Sequence, residues 1–232
     1  MNVSTPRFLI LLFCLWLAIP FNASYAQERI ALADGSILNT FIVEPPEGST
    51  GPYPLVIVMG GGSGNASISA DTSRWLGSGF AQRGWYVAVP ISPDNRAFRG
   101  AINNAKIVAL AQLLQQREQV ATGRVLLAGV SNGGMSALEI ARRNPELYFG
   151  VAAVPAISNA KTKNESLKGF PVYLRIGGSD QLGWADNFDE TVASLSSAGV
   201  DLDAEVLEGA PHMFRMDWST LAPWLERVQA TR

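Results

Sequence analysis

One histidine occurs in the 232-residue chain, His212, in the stretch "GAPHMF" (209–214). A single imidazole narrows any search for proton-transfer chemistry, because it is the side chain that exchanges a proton near neutral pH. Two other residues complete a set with it. Ser131 stands between glycines in "AGVSNGGM" (128–135), and Asp180 ends "GGSD" (177–180). A serine hydroxyl attacks a carbonyl carbon only when a neighbouring base takes its proton, and a buried carboxylate orients and stabilises that base. Each residue also has a plain structural use. Serine is a favoured helix N-cap, aspartate suits a turn, and a loop histidine can simply pack beside Met213 and Phe214. Asp186 and Asp189 lie near Asp180, but both fall on an expected helix where they face water.

The elements around these residues favour the chemical use. "ERIALADGSILNTFIVEPP" (28–46) reads as two strands joined at Asp34-Gly35, a pair suited to a tight turn. "PLVIVMGGG" (54–62), "WYVAVP" (85–90) and "RVLLAG" (124–129) are unbroken apolar runs, as in strands covered on both faces. Further strands are expected at 150–156, 171–177 and 203–209. Helical patterns fill about 72–83, 102–120, 132–143, 185–198 and 217–229 between or after them. Strands alternating with helices predict an α/β fold, a mostly parallel doubly wound sheet of about eight strands with helices on both faces. In such sheets ligands bind beyond the carboxyl ends of the strands. Ser131, Asp180 and His212 each follow a strand of their own, in that order.

With "GVSNG" (129–133) in a strand–turn–helix context, and the acid and base following in sequence, the chain resembles an α/β-hydrolase. The likeness covers essentially all of 27–232. It implies Ser131 as nucleophile, His212 as general base and Asp180 as the acid. It also implies an oxyanion hole of backbone amides, one from Asn132 and one from "GGGSGN" (60–65) through Gly61 or Gly62. Relatives often carry histidine before these glycines, where this chain has Met59; no amide is lost by that change. Only "ISNAKTKNESLKGF" (157–170) separates two of the strands, too little for the helical lid domain of many relatives. The resemblance is to small secreted serine esterases: feruloyl esterases, polyhydroxybutyrate depolymerases and dienelactone-hydrolase-like members. A dienelactone hydrolase proper would carry cysteine at the elbow, so Ser131 counts against that one activity. The expected substrate is a small-molecule or polymer-linked acyl ester. Two alternatives remain, a prolyl-oligopeptidase-like peptidase and a non-catalytic binding protein of the same fold. Trp184, Met213 and Phe214 are candidates for the pocket wall, though ordinary packing accounts for each of them better. Arg96 and Arg99 are candidates for holding an acidic substrate, though solvated loop charges account for them as well.

Other functions are disfavoured. A net charge of −2 gives no basic surplus for nucleic acid. The glycine loop has Asn65 where a dinucleotide fingerprint needs its third glycine, and no Gly-Lys-Ser/Thr occurs. One histidine and a single cysteine, Cys14, leave no metal-ligand set, so neither metal nor other cofactor is expected. Residues 1–26 read as an export signal, with an uncleaved membrane anchor as the alternative: Arg7, an apolar run Phe8–Ile19, Pro20, and small residues at Ser24 and Ala26. The run is shorter than the roughly 20 residues that span a bilayer. Cleavage before Gln27 would leave one catalytic domain, 27–232, without cysteine, periplasmic or extracellular and not held in the membrane.

Overall fold

Where a strand is covered on both faces its side chains need not alternate in polarity, and that rule places the centre of this sheet. A computed structural model describes residues 25–159 and 161–230. The expected export segment lies outside the described residues except for Tyr25 and Ala26, which open the first strand. β1 (Tyr25–Ala31) and β2 (Ile37–Val43) form the expected hairpin. Its turn is held by the Asp34 carboxylate accepting from the Ser36 N–H at 2.9 Å, with Gly35 at φ 81°. β3 (Leu55–Met59), β4 (Tyr86–Pro90) and β5 (Val125–Gly129) are buried throughout. β6 (Tyr148–Ala153), β7 (Pro171–Gly177) and β8 (Asp201–Leu207) complete eight strands in the order β1-β2-β4-β3-β5-β6-β7-β8. β1 pairs with β2, and β2 with β4, antiparallel; all other pairs are parallel.

Alternate residues of the central strands feed two separate cores. Ile57, Met59 and Leu127 pack on one face, under α3 (Ala101–Leu114), α4 (Asn132–Arg143) and α5 (Phe188–Ser197). Val56, Val58 and Leu126 pack on the other, under Leu76, Phe80 and α6 (Trp218–Gln229). Full burial of one such side chain contributes about 1.5–3 kcal/mol, so two filled faces give a rigid platform for the loops above the strand ends. Among the described residues no helix is long and apolar enough to cross a bilayer.

Two helices differ from the sequence pattern. The segment expected from 72 begins at Ala66, capped by the Asn65 side chain accepting from the Ile68 N–H at 3.1 Å. It runs as α1 (Ala66–Thr72), a π-helical turn Ser73–Gly77 and α2 (Ser78–Ala81). The stretch "ASISADTS" has few apolar residues, so periodicity did not reveal its start. The helix expected over 102–120 ends at Leu114 instead. The chain there curls into a turn in which the Gln115 side chain donates to the Ala121 and Gly123 carbonyls at 3.3 and 2.7 Å.

Candidate active site

Closely packed backbone surrounds Ser131. The chain leaves β5, turns at Ser131 with φ 55° and ψ −121°, and enters α4 at once. A non-glycine residue in this region costs on the order of 1–3 kcal/mol and persists only where its surroundings hold it. Here the Ser131 N–H donates to the Pro155 carbonyl at 2.8 Å and the Val130 N–H to the Met59 carbonyl at 3.0 Å. The flanking glycines are required by contact. A Cβ on Gly129 would lie 2.3 Å from Gly133 backbone, and one on Gly133 would lie 2.1 Å from the Met59 carbonyl oxygen. Ser131 occupies the N-cap position of α4, yet its side chain makes no capping bond. The hydroxyl points elsewhere.

It meets His212. Nε2 of the imidazole is 2.9 Å from Ser131 Oγ, and Nδ1 is 2.7 Å from Asp180 Oδ2. An ionised carboxylate only accepts, which places the imidazole proton on Nδ1 and leaves Nε2 to accept from the hydroxyl. All three residues are buried, and the Asp180 side chain is fully enclosed. The second carboxylate oxygen of Asp180 accepts from the Leu182 N–H at 2.7 Å. The Gln181 side chain accepts from the His212 N–H at 3.0 Å, and the Trp184 ring stands edge-on to the imidazole with centroids 4.9 Å apart. Gly177 allows this assembly: a Cβ there would lie 2.1 Å from the Pro211 carbonyl, so only glycine lets the loop carrying His212 lie against the end of β7. Asp186 and Asp189 are exposed.

Beside the hydroxyl lies a cavity of about 360 Å³. One wall is a helical stripe, Ile68, Asp71, Thr72 and Trp75, and Leu182 and Met213 stand among its other walls. Gly61 and Gly62 border it as well. A Cβ on Gly61 would lie 3.2 Å from the Ser131 Cβ, so the glycine loop touches the elbow. Asn132 lies at the start of α4, where the helix has no acceptor for its amide, and its side chain donates to the Gly62 carbonyl at 2.9 Å.

The pocket candidates from the sequence divide. Met213 is on the cavity wall, but Phe214 packs on the core shared with α6, and Trp184 packs against the opposite core. Arg99 has its Nε 3.8 Å from Glu139 and a guanidinium nitrogen 3.9 Å from the Met135 sulfur. Neither Arg99 nor Arg96 borders the cavity. Sequence reading missed Ile68, Asp71, Thr72, Trp75 and Gln181. The first four recur at i, i+3, i+4 and i+7, one face of a helix, a signal concealed by placing the helix start six residues late. Among the described residues no three of histidine, cysteine, aspartate and glutamate gather as metal ligands.

An eight-stranded, mostly parallel sheet with a serine on the turn after its fifth strand defines an α/β-hydrolase. Residues 95–223, more than half the chain, match the dienelactone hydrolase family, and the chain belongs to that family. No curated protein matches by sequence. Several solved structures share the fold. A thermostable esterase of Pseudomonas putida is 16% identical with a TM-score of 0.68, over 90% of this chain and 80% of that one. A second thermostable esterase is 14% identical with a TM-score of 0.60, over 79% of this chain and 54% of that one. Dipeptidyl peptidase 4 of Porphyromonas gingivalis is 17% identical with a TM-score of 0.64, over 90% of this chain and 35% of that one. The chain thus spans about half of the second esterase and a third of the peptidase. At these identities the likeness is one of fold.

Proposed function

We propose that this chain is an exported serine hydrolase that cleaves carboxylic esters through an acyl-enzyme. The carrying observation is the continuous relay from Ser131 Oγ to His212 Nε2 at 2.9 Å, and from Nδ1 to Asp180 at 2.7 Å. As Ser131 Oγ bonds to the ester carbonyl carbon, its proton passes to Nε2, and Asp180 stabilises the resulting imidazolium. His212 then returns that proton to the departing alkoxide as the carbon–oxygen bond breaks. Water repeats the sequence, giving its proton to His212 and releasing the acid from Ser131.

Negative charge on the carbonyl oxygen needs donors already in place. The amide of Asn132 is one. The other comes from the glycine loop, and a bond within that loop favours Gly62. The Gly64 N–H donates to the Gly61 carbonyl at 2.8 Å, which turns that carbonyl into the bend. In a trans peptide the Gly62 N–H on the same unit points the opposite way, out of the bend.

The cavity wall supports uncharged substrates with apolar acyl groups. Ile68, Trp75, Leu182 and Met213 offer hydrocarbon, and among the described residues no lysine or arginine lines the wall to hold an anion. Likeness to the peptidase keeps amides in the test. Hydrolysis of p-nitrophenyl acetate and butyrate above that of aminoacyl p-nitroanilides is expected, with a fluorophosphonate probe labelling Ser131. Ser131→Ala should abolish labelling and lower turnover by about five to six orders of magnitude. Turnover at the wild-type level in that variant would falsify the assignment.

Export follows from residues 1–26 as read in the sequence. Cleavage before Gln27 would remove two residues from β1, of which Tyr25 is about half exposed, and leave Gln27–Ala31 paired with β2. N-terminal sequencing of the protein recovered outside the cytoplasm should begin at Gln27. An intact Met1 there would overturn this part.

A further inference from the structure

The loop between β4 and α3 holds three non-glycine residues in left-handed backbone: Asn95 at φ 59°, Ala97 at 50° and Phe98 at 64°. An L-residue resists this region because its Cβ crowds the following carbonyl. Two such residues in succession require surroundings that leave no alternative. Ala97 and Phe98 are almost wholly buried, so protein groups must supply the restraint. Asn104 Nδ2 donates to the Phe98 carbonyl at 2.7 Å, and the Ser136 hydroxyl bonds the Ala97 carbonyl.

Ser136 is fully buried on α4, one turn beyond Asn132, and its hydroxyl also lies 2.9 Å from the Asn132 carbonyl. On its far side the same loop grips the glycine segment. The Ala97 N–H donates to the Ser63 carbonyl at 3.2 Å, and the Ser92 N–H donates to the Gly64 carbonyl at 2.8 Å. The two proposed oxyanion donors sit on separate elements, Asn132 on α4 and Gly61 or Gly62 on the loop after β3. The Asn132 side chain ties them directly through the Gly62 carbonyl, and the loop between β4 and α3 adds a second, buried brace.

We infer that Ser136 is a positioning residue for the oxyanion site, bracing α4 through Ala97 to Ser63 and so fixing, together with the Asn132–Gly62 bond, the distance between the two donors. The inference rests on the ester-hydrolase reading above. A displaced donor weakens binding of the charge that develops in the transition state and leaves binding of the neutral ester unchanged. Loss of the Ser136 hydroxyl should thus appear in kcat and not in KM.

The test compares wild type, Ser136→Ala and Ser136→Cys on p-nitrophenyl butyrate, with active sites counted by fluorophosphonate titration. Affinity for an alkyl boronic acid, which forms a tetrahedral adduct with the nucleophile, is measured alongside. Ser136→Ala should lower kcat per titrated site by about 10- to 100-fold, with KM within about twofold and boronate affinity reduced in parallel. Ser136→Cys keeps a weak donor of similar size and should lose less. An unchanged kcat per site, or a change confined to KM, overturns the inference. If Ser136→Ala does not fold, Ser136→Cys is read by the same criteria. Wild-type protein that neither labels nor hydrolyses would instead overturn the underlying ester-hydrolase reading.

Discussion

The two halves of the candidate site are built from different materials. Around Ser131 the parts are backbone: glycines in van der Waals contact with carbonyls, amides bonded to neighbouring strands, and a strained φ held by packing. Around His212, beyond the close approach of its loop to Gly177, the parts are side chains. Asp180 bonds the imidazole, the Trp184 ring stands edge-on to it, and Gln181 holds the His212 backbone N–H. Met213, the next residue, is half exposed. The contrast teaches where each half is vulnerable. Backbone substitutions near Ser131 should disturb the fold, whereas side-chain substitutions around His212 should spare the fold and disturb the proposed reaction.

Asp180→Asn tests the side-chain half most strongly. An amide in place of the carboxylate favours the wrong imidazole tautomer and cannot stabilise the imidazolium. Turnover should fall by about 10⁴-fold, equivalent to roughly 5 kcal/mol. The melting temperature should move by no more than about 3 °C, a change of under roughly 1 kcal/mol. A large melting shift would erase the contrast between the halves. Gly133→Ala tests the backbone half. Its new methyl would overlap the Met59 carbonyl at 2.1 Å with no flexible side chain to give way. A loss of about 4 kcal/mol or more is expected, with activity and folding lost together in denaturant titration. A folded, inactive Gly133→Ala protein would count against the division.

Smaller effects sharpen the picture. Trp75→Ala enlarges the cavity, so the ratio of kcat/KM for octanoate over acetate esters should rise by about tenfold, the effect of roughly 1.4 kcal/mol of lost exclusion. The smallest effect concerns Asp94 in the loop that holds the glycine segment. Hydrogen bonds from Asn103 foremost, then from the Arg96 amide and Ser92, keep its carboxyl below the ordinary value of 3.8. A depressed carboxylate stabilises the fold fully above its unfolded value, and that contribution disappears as pH falls through the folded value. Acid unfolding below about pH 4 should be slightly less steep in Asp94→Asn than in wild type. Superimposable acid-unfolding curves would remove Asp94 from the support of this loop.

How much of this was legible in the sequence follows from the range of each interaction. The strand–turn–helix at Ser131 is local, and Gly129 and Gly133 announce it. The order of Ser131, Asp180 and His212 after three separate strands was also readable, because apolar runs mark the strands. The start of α1 was not readable, since Asn65 caps a segment with little apolar pattern. The side of Phe214 was open for a related reason: an aromatic residue beside a loop histidine can face either the cavity or the core, and here it packs on the core under α6. Nothing in "NRAF" (95–98) announces left-handed backbone at Ala97 and Phe98, because the groups that impose it, Asn104 and Ser136, belong to other helices.

Residue types and local spacing alone determined the order of the strands and helices along the chain, the sharp turn at Ser131, and the presence of one imidazole that any such chemistry must use. Tertiary structure alone decided that this imidazole reaches the hydroxyl at 2.9 Å, which aromatic rings face the cavity, and which loop braces the glycine segment. The division has a physical cause. Backbone preference and apolar periodicity act over a few residues, whereas distances between groups some 30 to 80 positions apart are set by how the two cores pack.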